Sequence, residues 1–131
     1  MSTLETVRLF LHVLAATVWV GGQLTLLALL PVLREVGGEA PKKAARAFRR
    51  IAWPAFAVLL VTGAWNVAEL SAEGEEGGGV LVAKLVAVVV SGGAAYAHEK
   101  AASKAWTGIW GAVGLLATLV ALLLGVVLGG R

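Results

Sequence analysis

Cysteine is absent from this chain of 131 residues, which removes disulfides, thiolate metal sites and cysteine nucleophiles together. Methionine occurs once, at position 1, so a soft copper site of the Cys/Met type is poorly supplied. Side-chain amides are limited to Gln23 and Asn66. Charge is scarce as well: 15% of the residues are Asp, Glu, Lys or Arg, against roughly 25% in soluble domains. No nucleophile–base pair and no phosphate-binding glycine loop is present, and no nucleic-acid partner is expected.

What fills the chain instead is apolar. Hydrophobic residues make up 59%, and the mean hydropathy is +0.86. The first apolar run, Leu9–Leu33, holds 25 residues without an Asp, Glu, Lys or Arg. At 1.5 Å per residue it is long enough to cross a hydrocarbon core of roughly 30 Å. Three more runs follow: Ile51–Ala68, Val80–Ala97 interrupted only by Lys84, and Ala105–Gly130. The first run is too long for a signal peptide and lacks a strongly basic leader. Backbone groups in lipid must be satisfied within their own segment, so the runs are predicted to be helices. The expectation is an all-α integral membrane four-helix bundle, a single transmembrane domain over 1–131. Its helices should cover about 5–35, 43–70, 79–100 and 103–130.

The connections differ in sign. Arg34–Arg50 carries Arg34, Lys42, Lys43, Arg46, Arg49 and Arg50 against Glu35 and Glu39. The second connection carries Glu69, Glu73, Glu75 and Glu76 and ends Gly77-Gly78-Gly79; the short third one holds Lys100 and Lys104. The positive-inside rule makes the first and third cytoplasmic, so both termini face outward, and the setting is the cell's inner (cytoplasmic) membrane. Trp53, Trp65 and Trp106 fit interfacial belts, whereas Trp19 lies near mid-helix. Gly21-Gly22, Gly92-Gly93, Gly108, Gly111 and Gly114 would let helices approach closely, and such faces suit a homodimer too. Pro31 and Pro54 are expected near inner helix ends, where a kink or a helix start is tolerated.

This topology assigns depths. His12 on the first helix, Asn66 on the second and Lys84 on the third all fall in one outer layer. A titratable side chain inside a span is by default a functional-site candidate. His98 lies 14 residues beyond Lys84, roughly 21 Å deeper, so it and His12 cannot sandwich one metal within a protomer. His98 is expected to be an ordinary interfacial residue. His12, Trp19 and Gln23 share one stripe; so do Thr62, Asn66 and Glu69, and Lys84, Ser91 and His98. Arg8 stands one turn outward from His12.

Neutral imidazole is a common haem and metal ligand. A charged Lys84 would cost about 3 kcal/mol at the bilayer centre, and an uncharged amine could serve as a second axial ligand. His12 and Lys84 are thus the candidate metal ligands, with Arg8 suited to a haem propionate. The competing readings are structural. Lys84 could extend to the surface or pair with Glu69, and His12 could hydrogen-bond Asn66 or a backbone carbonyl. Copper is the alternative metal, and a structural subunit of a membrane complex the alternative role.

The string LHVLAATVWVGG resembles the first helix of CopD-type copper-resistance membrane proteins and of HemJ-type protoporphyrinogen oxidases, where a His is followed seven residues later by Trp and then small residues. FRRIAWPAFAVLLVTGAW is similar to the HemJ pattern of paired Arg, a Pro and a late Gly-x-Trp, and VLVAKLVAVVV to the opening of helix 3 in both groups. The likeness covers roughly residues 8–96. It implies a four-helix membrane protein that binds haem b through the positions of His12 and Lys84. Trp19, Gly21 and Gly22 would shape the wall beneath, and the chemistry would be that of a protoporphyrinogen oxidase-type oxidoreductase. The CopD side implies copper handling.

Overall fold

The computed structural model describes residues 2–73 and 78–129, with side chains at 2–69 and 79–128. Among the described residues there are four helices and no strand. Helix α1 runs over Thr3–Ala16, a π-helical turn Thr17–Gly21, and Gly22–Val36. Helix α2 is Ala40–Glu73, α3 is Gly78–Lys100, and α4 is Lys104–Gly129. All four are long and apolar enough to cross a membrane; the shortest such stretch, Gly79–Lys100, has 22 residues. That corresponds to about 33 Å of helix against a core of about 30 Å.

The helix ends follow local chemistry. Ser2 and Glu5 form a reciprocal capping box, with Glu5 N–H donating to Ser2 Oγ at 3.1 Å and Ser2 N–H to Glu5 Oε2 at 3.3 Å. Gly37 and Gly38 take φ of 80° and 58°, which only glycine adopts freely, and Gly37 N–H closes α1 on Leu33 O at 3.1 Å. Ser103 starts α4 by accepting from Trp106 N–H at 3.2 Å.

The first connection is shorter than its charges suggested. Lys42–Arg50 contains no glycine and is rich in Ala, Lys and Arg, all strong helix formers, so α2 begins at Ala40 with Pro41 in its first turn. Pro54 therefore lies inside α2 instead of near its end, and Trp53 is well inside the helix. Pro31 is likewise inside α1. Of the acidic connection, Glu75, Glu76 and Gly77 lie outside the described residues, as does the Glu73 side chain.

The chain divides into two compact units, Met1–Glu69 and Leu70–Arg131. Each is an antiparallel helix pair, because partner numbers fall on one helix as they rise on the other. In the first, Arg8 meets Glu69, His12 meets Thr62 and Trp19 meets Phe56. In the second, Lys84 lies at Gly125, Ser91 at Thr118 and His98 at Thr107. Burial is inverted relative to a soluble protein. Among the described residues the buried side chains are those of Ala15, Ala52, Ala87, Ala94, Thr62, Ser91 and Thr118, with Trp19 the one large member, while Phe10, Val61, Val89 and Leu123 are exposed. Small and hydroxyl side chains inside with large aliphatics outside is the pattern of helices packed in lipid.

Candidate functional site

In the first unit the candidate residues stack as successive layers between α1 and α2. Arg8 comes first. Its Cζ sits 5.6 Å from the Trp65 ring centroid, and its Nη1 is 3.9 Å from Glu69 Oε1. That ion pair is long and its carboxylate is half-exposed, so it contributes little. The Arg8 side chain is only 12% exposed. Its Nε is buried and has no hydrogen-bond partner among the described residues. Glu69 thus faces Arg8, where the sequence offered it to Lys84.

His12, half-buried, is one turn further along α1. Its Nδ1 is 2.7 Å from Thr62 Oγ1. Thr62 is almost fully buried, and its hydroxyl donates to Val58 O at 2.7 Å, with Leu59 O at 3.3 Å. A hydroxyl has one proton, so toward His12 the Thr62 oxygen accepts. With the hydroxyl proton given to Val58 O, the matching neutral tautomer of His12 is the one protonated on Nδ1, with the lone pair on Nε2. The helix–helix hydrogen bond expected at His12 goes to Thr62 and not to Asn66 or a backbone carbonyl. Asn66, one turn from Thr62 on α2, is half-buried.

Trp19 forms the next layer. Its ring lies 4.6 Å from Phe56 and 5.4 Å from Trp53 between centroids, and Trp53 meets Phe56 edge-on at 5.7 Å. Trp53 belongs to this internal cluster and not to an interfacial belt. Trp19 sits in the π turn, where an additional residue is wound into the helix. The His12–Trp19 stripe consequently does not continue in register to Gln23. Gln23 Nε2 donates to Trp19 O at 3.0 Å, and Thr17 and Thr25 hydroxyls return bonds to Val13 O and Gly21 O at 2.8 and 2.7 Å. Three polar side chains thus satisfy backbone carbonyls around the irregular turn.

Gly22 closes the stack. A Cβ there would collide with the Phe48 ring, so Gly22 is where α2 presses on α1. It is covered by Phe48 rather than forming an open wall. Gly21, which the sequence paired with it, faces open space.

The second unit holds Lys84 and His98. A Cβ on Gly125 would stand 3.4 Å from Lys84 Nζ and 3.5 Å from its Cε, so the half-buried amine lies along the bare backbone of α4. Further down, Ser91 Oγ and Thr118 Oγ1 pair at 2.5 Å, and Thr118 donates to Gly114 O at 2.8 Å. His98 is exposed and its Nδ1 donates to Thr107 O at 2.7 Å, beside Gly111. It ties the end of α3 to α4, more than an interfacial residue would. Gly93 and Gly108, expected at close approaches, face open space; Gly111 and Gly114 make the contacts.

Sequence reasoning missed Gly125 and the acceptor role of Thr62. The signal for the first was present: Thr107, Gly111, Gly114, Thr118 and Gly125 step by four, three, four and seven along one face of α4. Among the described residues no three His, Asp or Glu side chains gather as a metal site. Compared with known proteins, the chain matches no family model, no curated protein and no solved structure.

Proposed function

We propose that the chain is a multi-pass membrane protein that binds haem b through His12 Nε2 and serves redox or porphyrin chemistry. The observation that carries this reading is the His12–Thr62 pair. A metal-ligating imidazole ordinarily donates its other N–H to an oxygen partner, which fixes tautomer and ring orientation. Thr62 Oγ1, 2.7 Å from Nδ1, fills that part inside an apolar span.

Arg8 extends the fit. Its Cα lies one turn, about 6 Å along the axis, from that of His12. Its buried Nε lacks a partner among the described residues and suits a carboxylate such as a haem propionate. Bound haem would supply a one-electron iron couple. In this reading His12 holds the group, Thr62 orients His12, and Arg8 anchors the acidic edge beside Trp65. The alternative of copper handling has less support, because the chain has no cysteine and its one methionine is residue 1. The same reading puts the protein in the cytoplasmic membrane with both termini outside, supported by the basic stretch from Arg34 to Arg50 and the acidic one from Glu69 to Glu76.

The test is the absorbance spectrum of the detergent-purified full chain after haem loading. A Soret band that is lost in His12→Ala and kept in His98→Ala is expected. No band, or a band unchanged by His12→Ala, overturns the assignment.

A further inference from the structure

We infer that the first three turns of α2 carry a binding site for the phosphate of an anionic phospholipid, independent of the His12 site. Lys43, Arg46 and Arg50 line, with Ala47, an open cleft of about 170 Å³. These positions are three, four and seven residues apart, so they fall on one face of the helix. Phe48, which packs on Gly22, lies on a different side of α2, so the cleft faces away from that contact. All four lining residues are exposed. None of the three cationic side chains has an ion pair or hydrogen bond to another described residue, although Glu35 and Glu39 stand nearby in sequence and Lys43 N–H donates to Glu39 O at 2.8 Å. Three uncompensated cations sharing one cleft repel each other and gain from an anion placed between them.

The occupant follows from where the cleft sits. Arg50 immediately precedes Ile51, where the apolar run of α2 begins, and Ile51 is itself exposed. A ligand in this cleft therefore meets cations at its head and exposed aliphatic surface directly beyond. That is the chemistry of a phospholipid: a phosphodiester against Lys43, Arg46 and Arg50, with acyl chains along the exposed side chains of α2. Ala47 supplies the room, because a larger residue at the centre of the stripe would fill the cleft. Arg and Lys are complementary here: Arg offers a planar fork to phosphate oxygens, and Lys a compact point charge. A juxtamembrane cation near an anionic surface strengthens binding by about fivefold.

Native mass spectrometry of the full chain tests this, with phosphatidylglycerol and chain-matched phosphatidylcholine as probes. Phosphatidylglycerol should be retained in preference. Each of Lys43→Gln, Arg46→Gln and Arg50→Gln should weaken that retention by about fivefold while leaving phosphatidylcholine unchanged. Ala47→Glu, which places a carboxylate in the cleft, should act like the loss of a cation. Lys42→Gln combined with Arg34→Gln removes charge off the stripe and should keep the preference. The inference is overturned by equal retention of the two lipids or by a preference that survives the triple glutamine variant. It is equally overturned if the off-stripe variant loses as much, or if inorganic phosphate competes as well as the lipid at equal concentration.

Discussion

Replacing Thr62 by Val keeps the shape of the buried side chain and removes its oxygen. In the wild type that oxygen gives its proton to Val58 O at 2.7 Å and receives the Nδ1 proton of His12 at 2.7 Å. Val58 O keeps its helical backbone bond, so the group left wanting is Nδ1–H, inside a segment where no water competes. An unmade hydrogen bond to a buried group costs about 1–3 kcal/mol in soluble proteins. Interhelical pairs within membranes average about 0.6 kcal/mol and reach about 1.7 kcal/mol. His12 is only half-buried and can relax, so a coupling of about 0.5–1.5 kcal/mol is expected. A double-mutant cycle of His12→Leu and Thr62→Val on the reconstituted protein, read by reversible unfolding, measures it. A second readout is sharper. The ¹⁵N resonances of the His12 ring should show Nδ1 protonated and Nε2 unprotonated in the neutral wild type, with the two tautomers mixing in Thr62→Val. A wild-type ring protonated on Nε2 would refute the donor accounting and with it the ligand role of that nitrogen.

Three further outcomes follow from the glycines and the hydroxyl pair. Gly22→Leu should destabilise the first helix pair by about 1–3 kcal/mol, because the Phe48 ring occupies the space, whereas Gly21→Leu should be nearly silent; thermal unfolding in one detergent compares them. In the second pair, Gly114→Leu should be strongly destabilising and Gly114→Ala tolerated, since a Cβ there would sit in ordinary contact, 3.4 Å from that of Ala94. Ser91→Ala should cost about 0.6–1.7 kcal/mol through the loss of Thr118 as partner, and no change would argue against a buried bond between them.

The sequence was most legible where one physical constraint dominates. Hydrocarbon admits only self-satisfied backbone, so four apolar runs meant four helices, and their limits were close to those observed. Helix starts were less legible. The second helix, expected from about residue 43, starts at Ala40, because its apolar run begins only at Ile51 and does not mark the start, while Ala, Lys and Arg continue a helix readily once Gly37 and Gly38 have turned the chain. Trp53, read as interfacial from its place at the start of the apolar run, instead packs on Trp19. His12 was found by its oddity in an apolar run, but its partner depended on register, and Thr62 differs from Asn66 by one turn. The π turn had no signal in hydropathy, because Thr17–Gly21 is as apolar as its surroundings and periodicity cannot register a single extra residue in a short window.

That turn has a consequence for how α1 tolerates change in length. A π turn is a helix that has accommodated an inserted residue without breaking. The half of α1 bearing Arg8 and His12 is therefore phased about 100° away from the setting an uninterrupted α-helix would give relative to the half bearing Gly22. Deleting one residue between Thr17 and Gly21 would rewind the turn into plain α-helix and shorten the span by only about 1.5 Å. The contacts of His12 with Thr62 and of Gly22 with Phe48 should then survive together, because the turn already absorbs the residue being removed; a deletion elsewhere between His12 and Gly22 would separate them by about 100°. The π turn works as a phase adjustment, letting one continuous helix carry an extra residue and still present both of its halves to the same neighbour.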